Sequence, residues 1–248
     1  MTTPKRDQIR ALLKSIETGD PAPLSVVNEA QYIQHNPQTH EGSEGLAALF
    51  QRLSKTSPRV NIVRAFEDGD FVFAHTEYDF ATRKIGFEMF RFADGHAVEH
   101  WDNIQERQGP NPSGRTMVDG PTEPLDHELT EQNRALVRSF VATVLIDNQL
   151  DRMTDFVEES YAEHNPHRAD GVPALRSAFT DGHISYAHIH RVLAEGNFVL
   201  CASEGHVGGA HVALYDLFRV ADGKIVEHWD TTEKIAPRSQ WKNDNGKF

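Results

Sequence analysis

Apolar residues in the first stretch of the chain fall at Ile9, Leu12, Leu13 and Ile16, a three- and four-residue spacing that sets them on one helix face. Thr3-Pro4 precedes them, a capping residue followed by the residue best tolerated at the first helical position. The same pattern returns after Thr130 with Val137, Phe140, Val141 and Val144. Shorter helical patterns follow around Leu24–Tyr32 and Glu44–Leu53, with counterparts around Met153–Tyr161 and Pro173–Phe179. Beyond them the period changes. Val60–Phe66, Phe71–Tyr78, Phe87–Phe92 and Val98–Gln105 are β-branched and aromatic runs, punctuated by the turn sequences Asp68-Gly69 and Asp94-Gly95. Helices first and an antiparallel meander afterwards predict an α+β fold, with three helices covering one face of a curved sheet.

The chain also matches itself. Tyr32-Ile-Gln-His35-Asn36-Pro37 is echoed 129 residues later by Tyr161-Ala-Glu-His164-Asn165-Pro166. Gly42, Leu46 and Phe50 recur as Gly171, Leu175 and Phe179, and Phe90-Arg-Phe-Ala-Asp-Gly-His-Ala-Val-Glu-His-Trp-Asp102 returns as Phe218-Arg-Val-Ala-Asp-Gly-Lys-Ile-Val-Glu-His-Trp-Asp230. Collinear matches of this kind mean duplication, and two copies at so long a period are a tandem domain pair rather than a solenoid. The expected domains are 1–108 and 129–248, separated by a linker at 109–128 whose prolines and glycines continue neither a helix nor a central strand. Met117-Val118 within it predicts that the linker packs on a domain surface. The duplication further predicts that the halves pair as an intramolecular pseudo-dimer, and it leaves further homo-oligomerisation open.

Composition narrows the partners. The 248 residues carry a formal charge of −12, which disfavours nucleic acid and anionic membranes and directs attention to a small-molecule ligand. The first residues lack the apolar core of a signal peptide, and no run approaches the roughly eighteen apolar residues of a membrane span, so a cytoplasmic address is expected. The single cysteine, Cys201, excludes an internal disulfide or a thiolate metal cluster, and its neighbours Val199, Leu200 and Ala202 suggest a buried strand position.

The last hairpin of each copy sets acids and a histidine among aromatic residues. Alternation puts His100, Asp102 and Ile104 on one strand face and Glu99, Trp101 and Asn103 on the other. A two-residue Asp-Gly turn would pair Glu88 with Trp101, whereas a three-residue Ala-Asp-Gly loop with a glycine bulge pairs it with His100, and the bulge is the expected form. One face then reads Glu88, Phe90, Phe92, Val98, His100, Asp102 and Ile104, and its counterpart reads Asp216, Phe218, Val220, Val226, His228, Asp230 and Thr232. A carboxyl group among aromatic residues is poorly solvated, which suits it to accept a proton or, when neutral, to donate a hydrogen bond. The same residues also fit a solvent-facing strand, or a His-Asp pair that ties sheet to helix. His35 and His164, each followed by Asn-Pro, are acid–base candidates or plain turn anchors. His188 and His190 share a strand face in the second copy only and could chelate a metal, but Asn61 and Val63 stand at the equivalent positions and no fuller ligand spacing exists, so no metal is expected. Glycine-rich phosphate loops, a Gly-x-Ser-x-Gly elbow and basic-aromatic stripes are absent from the sequence.

The element order, the His-Asn-Pro turn and the strand signature Glu88-Met-Phe-Arg-Phe with Asp-Gly and Val-Glu-His-Trp-Asp102 resemble SnoaL-like members of the nuclear transport factor 2-like superfamily, in both copies. That resemblance implies a cone-shaped fold with a pocket between the concave sheet and the helices, and a fold that hosts cyclases, isomerases, dehydratases, hydrolases and binding domains alike. It implies an aspartate near the end of the sheet as base, without cofactor or metal, and Asp102 and Asp230 match that role. Ketosteroid isomerase shares the fold, and its oxyanion-hole aspartate lies in a strand similar to those carrying Glu88 and Asp216. Its base precedes a proline, where this chain has Asn36 and Asn165, which cannot serve.

The leading expectation is therefore cofactor-independent proton abstraction from a small apolar carbonyl compound, of aldol cyclase, lyase or isomerase type. Asp102 and Asp230 are the expected bases, with His35, His100, His164 and His228 as proton shuttles or orienting groups. Glu88, Asp216, Phe90, Phe218, Asn36 and Asn165 are expected to bind substrate. The rival expectation is a non-catalytic small-molecule binding or assembly module, in which the pocket is filled by side chains or sequesters a ligand.

Overall fold

A computed structural model of the chain describes residues 3–28 and 30–248, apart from the side chains of Ser43 and Ser54. Helix α1 (Lys5–Thr18) buries Ile9, Leu12, Leu13 and Ile16, and Gly19 closes it in the left-handed conformation (φ 72°). Burying each such side chain contributes about 1.5–3 kcal/mol. Helix α2 (Gly42–Ser54) follows, then the meander β2 (Arg59–Asp68), β3 (Phe71–Asp79), β4 (Arg83–Ala93) and β5 (His96–Glu106). The second copy repeats this with α3 (Thr130–Phe140), prolonged by a π-helical stretch, Val141–Ile146. A single turn α4 (Met153–Phe156) and helix α5 (Val172–Thr180) precede its meander β7 (Ile184–Glu195), β8 (Phe198–Val207), β9 (Ala210–Ala221) and β10 (Lys224–Lys234).

The helix expected around Leu24–Tyr32 is not formed among the described residues of that range, which leave out Glu29. Ala22–Val26 makes one 3₁₀ turn, Val27 bridges to Ala97, and Ile33–Gln34 forms a short strand, β1. Pro21 and Pro23 limit the turn, and the β-branched pair Val26-Val27 favours extended backbone. In the second copy the helix expected up to Tyr161 stops at Phe156, and Val157–Glu163 becomes strand β6. Both β1 and β6 run parallel to the last strand of their meander, pairing Gln34 with His100 and Glu163 with His228. Each sheet thus has five strands, in the order β1-β5-β4-β3-β2 and β6-β10-β9-β8-β7.

The hairpin between β4 and β5 is turned by Asp94-Gly95 alone, both with positive φ, and the irregularity lies further along. Phe92 pairs with Ala97 and Arg91 with Glu99, leaving Val98 as the extra residue. Glu88 consequently faces Asp102, not His100 as the three-residue loop would require. Val226 is the corresponding extra residue in β10. Ala97 and Ile225, rather than Val98 and Val226, join the helix-facing cores, because a bulge reverses the alternation on one side of it.

The chain divides into two compact units, one made of residues up to Arg107 together with Ile235–Phe248, the other of Gln108–Lys234. The end of the expected second domain therefore belongs to the first unit. Lys242 N–H donates to Pro37 O at 2.8 Å, and Asn243 Nδ2 donates to the carbonyls of Asn36 and Thr39 at 2.8 and 2.9 Å. The expected linker belongs to the second unit in the same manner, with Asn111 Nδ2 on Glu163 O at 2.6 Å and Trp229 Nε1 on Asp119 O at 2.9 Å. Each segment that follows a meander is exchanged, and each lies along a His-Asn-Pro turn. No helix among the described residues is long and apolar enough to cross a membrane.

Candidate functional site

In the first unit a cavity of about 210 Å³ lies between α1, α2 and the inner sheet face. Leu12, Leu13, Ile16, Leu46, Phe50 and Phe80 supply its apolar wall, and Arg52 and Lys84 also border it. Its polar end is built by three neighbouring strands. The β4–β5 register places Glu88 opposite Asp102 and Phe90 opposite His100, and β1 sets Gln34 beside His100.

Glu88, His100 and Asp102 are each less than 10% exposed. Gln34 Oε1 accepts the Asn36 N–H at 2.9 Å, which identifies it as the amide oxygen, and His100 Nδ1 lies 2.9 Å from the same atom and must therefore donate to it. The other ring nitrogen, Nε2, faces Glu88 Oε2 at 2.8 Å, so those two groups share any further proton. Tyr78 donates its hydroxyl to Glu88 Oε1 at 2.8 Å. Asp102 accepts from Asn36 Nδ2 at 2.6 Å and from Lys247 Nζ at 3.3 Å, the latter carried in by the exchanged C-terminal segment. A carboxylate held by an amide and an ammonium thus stands beside a carboxyl–imidazole pair, at the end of an apolar chamber.

Gly86 leaves room for the side chains of Tyr78 and Glu88, both of which border the chamber. A Cβ at this position would lie 2.7 Å from Thr76 Oγ1, 2.8 Å from the Tyr78 ring and 2.9 Å from Glu88 Oε1. At the matching register the second copy has Leu214, and Gly205 where the first has Tyr78. There the hydroxyl comes from the neighbouring strand instead, Tyr186 donating to Asp216 at 3.0 Å.

The second unit's cavity is about 10 Å³, room for at most a single water. Phe140, Phe179, Tyr186, Phe218 and the Arg168 side chain converge on it. Arg168 occupies the position of Thr39, and its guanidinium spans Glu163 (Nε to Oε2, 3.2 Å) and Asp230 (Nη2 to Oδ2, 2.6 Å). His228 is held between Glu163 and Asp216, 2.9 Å from each. Burial alone would raise the Glu163 carboxyl, but Arg168 and His228 outweigh it and hold Glu163 at about 2. Burial would likewise lower His228, yet Glu163 and Asp216 bring it up to about 10. The Asp230 carboxyl is pushed up by burial against the opposing pull of Arg168. The same hairpin that lines a chamber in the first unit here forms a closed ionic core.

The expected residues separate by strand face. Glu88, His100, Asp102, Phe90 and Asn36 border the open cavity, and Asp216, His228 and Phe218 the closed one, while Asn165 holds Asp230 as Asn36 holds Asp102. His35 and His164 stand apart from both. They stack on Trp101 and Trp229 with ring centroids 4.6 and 4.7 Å apart, and each Nε2 lies 2.9 Å from Glu99 or Glu227. Trp101 and Glu99 occupy the strand face opposite to His100, so these imidazoles anchor the turn away from the cavity. Tyr32, Gln34, Tyr78 and Lys247 were missed by the sequence reading, as were Tyr161, Glu163, Arg168 and Tyr186. Tyr32, Tyr161 and the Gln34/Glu163 difference sit inside the repeated motif and could have been found by period-two alternation back from Asn36, whereas Tyr78 and Tyr186 lie on different strands of their sheets. Nothing in spacing signals Lys247 or Arg168.

Glu88, His100 and Asp102 offer ligand atoms within 4.8 Å of one another, as do Asp216, His228 and Asp230. Both nitrogens of each imidazole already have partners, and a cationic side chain sits on each aspartate, an arrangement that a divalent ion would have to displace. The His188 and His190 rings meet edge-on at 4.7 Å, and Glu204 lies 3.4 Å from His190 and 3.5 Å from His211 at a partly exposed surface. Cys201 is fully buried, and burial pushes its thiol up to about 12, which leaves it inert as a nucleophile.

The profile of the SnoaL-like domain matches residues 9–100 and again 137–228. No curated protein sequence matches the chain. Among solved structures, TsrD from Streptomyces laurentii is 20% identical, covering 42% of this chain and 92% of its own, with a TM-score of 0.36. An LEH-like epoxide hydrolase of M. tuberculosis is 21% identical, covering 42% and 84%, with a TM-score of 0.36. An NTF2-like protein from Cytophaga hutchinsonii is 17% identical, covering 46% and 95%, with a TM-score of 0.38.

Proposed function

We propose that this chain, which belongs to the SnoaL-like domain family through both of its halves, uses the first unit's pocket to abstract a proton from a small apolar carbonyl compound, in the manner of a cyclase, lyase or isomerase. The observation that carries the reading is the open apolar cavity of about 210 Å³ ending in Glu88, His100 and Asp102. Asp102 is the base: its carboxylate takes a proton from the carbon beside the carbonyl, oriented by Asn36 and Lys247. The Glu88–His100 pair faces the enolate so formed and supplies the proton that the product needs. Proton transfer of this kind depends on an acid and a base held within reach of the reacting atoms in a geometry fixed beforehand.

The second unit turns over no substrate, because Arg168 and the aromatic side chains fill the corresponding space. That closed cavity has the form the rival expectation gives a pocket filled by side chains, whereas the first unit's cavity is open.

The test needs no knowledge of the natural substrate. A panel of small ketones in D₂O is followed by proton NMR for exchange of the hydrogens beside the carbonyl. The protein should accelerate exchange for members that fit the pocket, Asp102→Asn should lower the acceleration by about a hundredfold or more, and Asp230→Asn should leave it in place. Acceleration that persists in Asp102→Asn, or none for any ketone, refutes the proposal.

A further inference from the structure

The two copies of one tyrosine differ in what their hydroxyls do. In the closed unit Tyr161 donates to Glu163 Oε2 at 2.7 Å. In the open unit the acid is replaced by Gln34, whose oxygen is already taken by the His100 ring and by the Asn36 N–H, each at 2.9 Å. Tyr32 is 3% exposed, its hydroxyl is shut off from solvent, and it has no hydrogen-bond partner among the described residues. It borders the open cavity together with Glu88, His100 and Asp102. A buried hydroxyl is costly to leave unpaired, and an unpaired one on the wall of a ligand-sized chamber is a docking point for an acceptor atom.

Building on the carbonyl-compound reading, we infer that the Tyr32 hydroxyl is a substrate-binding donor, which accepts no partner from the protein and hydrogen-bonds the carbonyl oxygen of the ligand. It fixes the carbonyl so that the adjacent carbon lies toward Asp102. Burial, then Glu88 and Asp102, push the phenol well above its ordinary value, so it stays a donor throughout the working range. The single replacement of the acid at position 163 by Gln at 34 thus separates a tyrosine that closes a core from one that reads a ligand. The recognised class is a compound with one strong acceptor oxygen on an apolar body.

The probe is acetophenone labelled with ¹³C at the carbonyl, titrated into the full chain and into Tyr32→Phe. With the wild-type protein the carbonyl resonance should move downfield on binding, as it does on accepting a hydrogen bond. In Tyr32→Phe that movement should vanish and the affinity fall about tenfold, the effect of losing one well-made hydrogen bond in a water-poor site. The ligand-free Tyr32→Phe protein should melt no lower than wild type, since no bond within the protein is lost, whereas Tyr161→Phe should melt lower. A full downfield shift in Tyr32→Phe, or a lowered melting temperature of that variant without ligand, overturns the assignment while leaving the carbonyl pocket intact. Absence of any binding to the wild-type protein overturns the pocket reading and the assignment with it.

Discussion

Arg168→Thr, which installs the residue found at position 39, should destabilise the second unit by about 3–5 kcal/mol at neutral pH. Arg168, Glu163 and Asp230 are nearly or fully buried, with guanidinium–carboxylate contacts of 3.2 and 2.6 Å. Breaking such a pair leaves the remaining charges without compensation, which costs about 3–5 kcal/mol in buried settings. The titration of Glu163 gives an independent figure. Its fall from 4.5 to about 2 corresponds to about 3 kcal/mol of preferential stabilisation of the folded carboxylate, shared between Arg168 and His228. Adding Glu163→Gln reproduces the pair Gln34/Thr39 and removes one negative charge together with the positive one, so the double variant should recover more than half of the loss. The assay is urea unfolding read by hydrogen exchange in β6 and β10, which isolates the second unit. A loss below about 1 kcal/mol in Arg168→Thr, or a double variant no more stable than the single, would refute the ionic-core account.

Two further outcomes follow from the same geometry. Glu163 binds its proton at about 2 in the folded protein and near 4.5 when unfolded, so its contribution is present above about pH 4.5 and disappears as pH falls towards 2; His228, raised from 6.5 to about 10, contributes fully below pH 6.5 and loses its contribution as pH rises through 10. The exchange-monitored stability of the second unit should therefore peak between about pH 4.5 and 6.5, and a maximum on the alkaline side of pH 8 would contradict it. His35→Ala removes the stack on Trp101 and the contact with Glu99, and should cost the first unit about 1–3 kcal/mol by thermal melting while the ketone exchange rate at lower temperature is retained; a collapse of that rate in a folded His35→Ala protein would return the imidazole to the chemistry.

Features that depend on local patterns could be read directly. The α1 and α3 faces, the meander strands and the Asp-Gly turns each depend on residues within a few positions of one another, and the repeat is visible because both copies kept those patterns. The strands β1 and β6 were hidden because their extended form is stabilised by pairing with β5 and β10, more than sixty residues away in sequence. The bulge was anticipated, but its place at Val98 was not, since the hairpin could absorb an extra residue at the turn or after it.

For the site, sequence determined which residue types were available: the Glu88, His100 and Asp102 set shares one strand face in any register that keeps the apolar side inward, and its second-copy counterpart does the same. Only the tertiary structure decided that one set faces a chamber and the other an ionic core. That outcome rests on side-chain volume and charge arriving from remote positions: Gly86 against Leu214, Thr39 against Arg168, Gln34 against Glu163, and an exchanged segment that brings Lys247 to Asp102. Cavities are what packing leaves over, and whether space remains depends on all the surrounding chains together, which no spacing along one of them records.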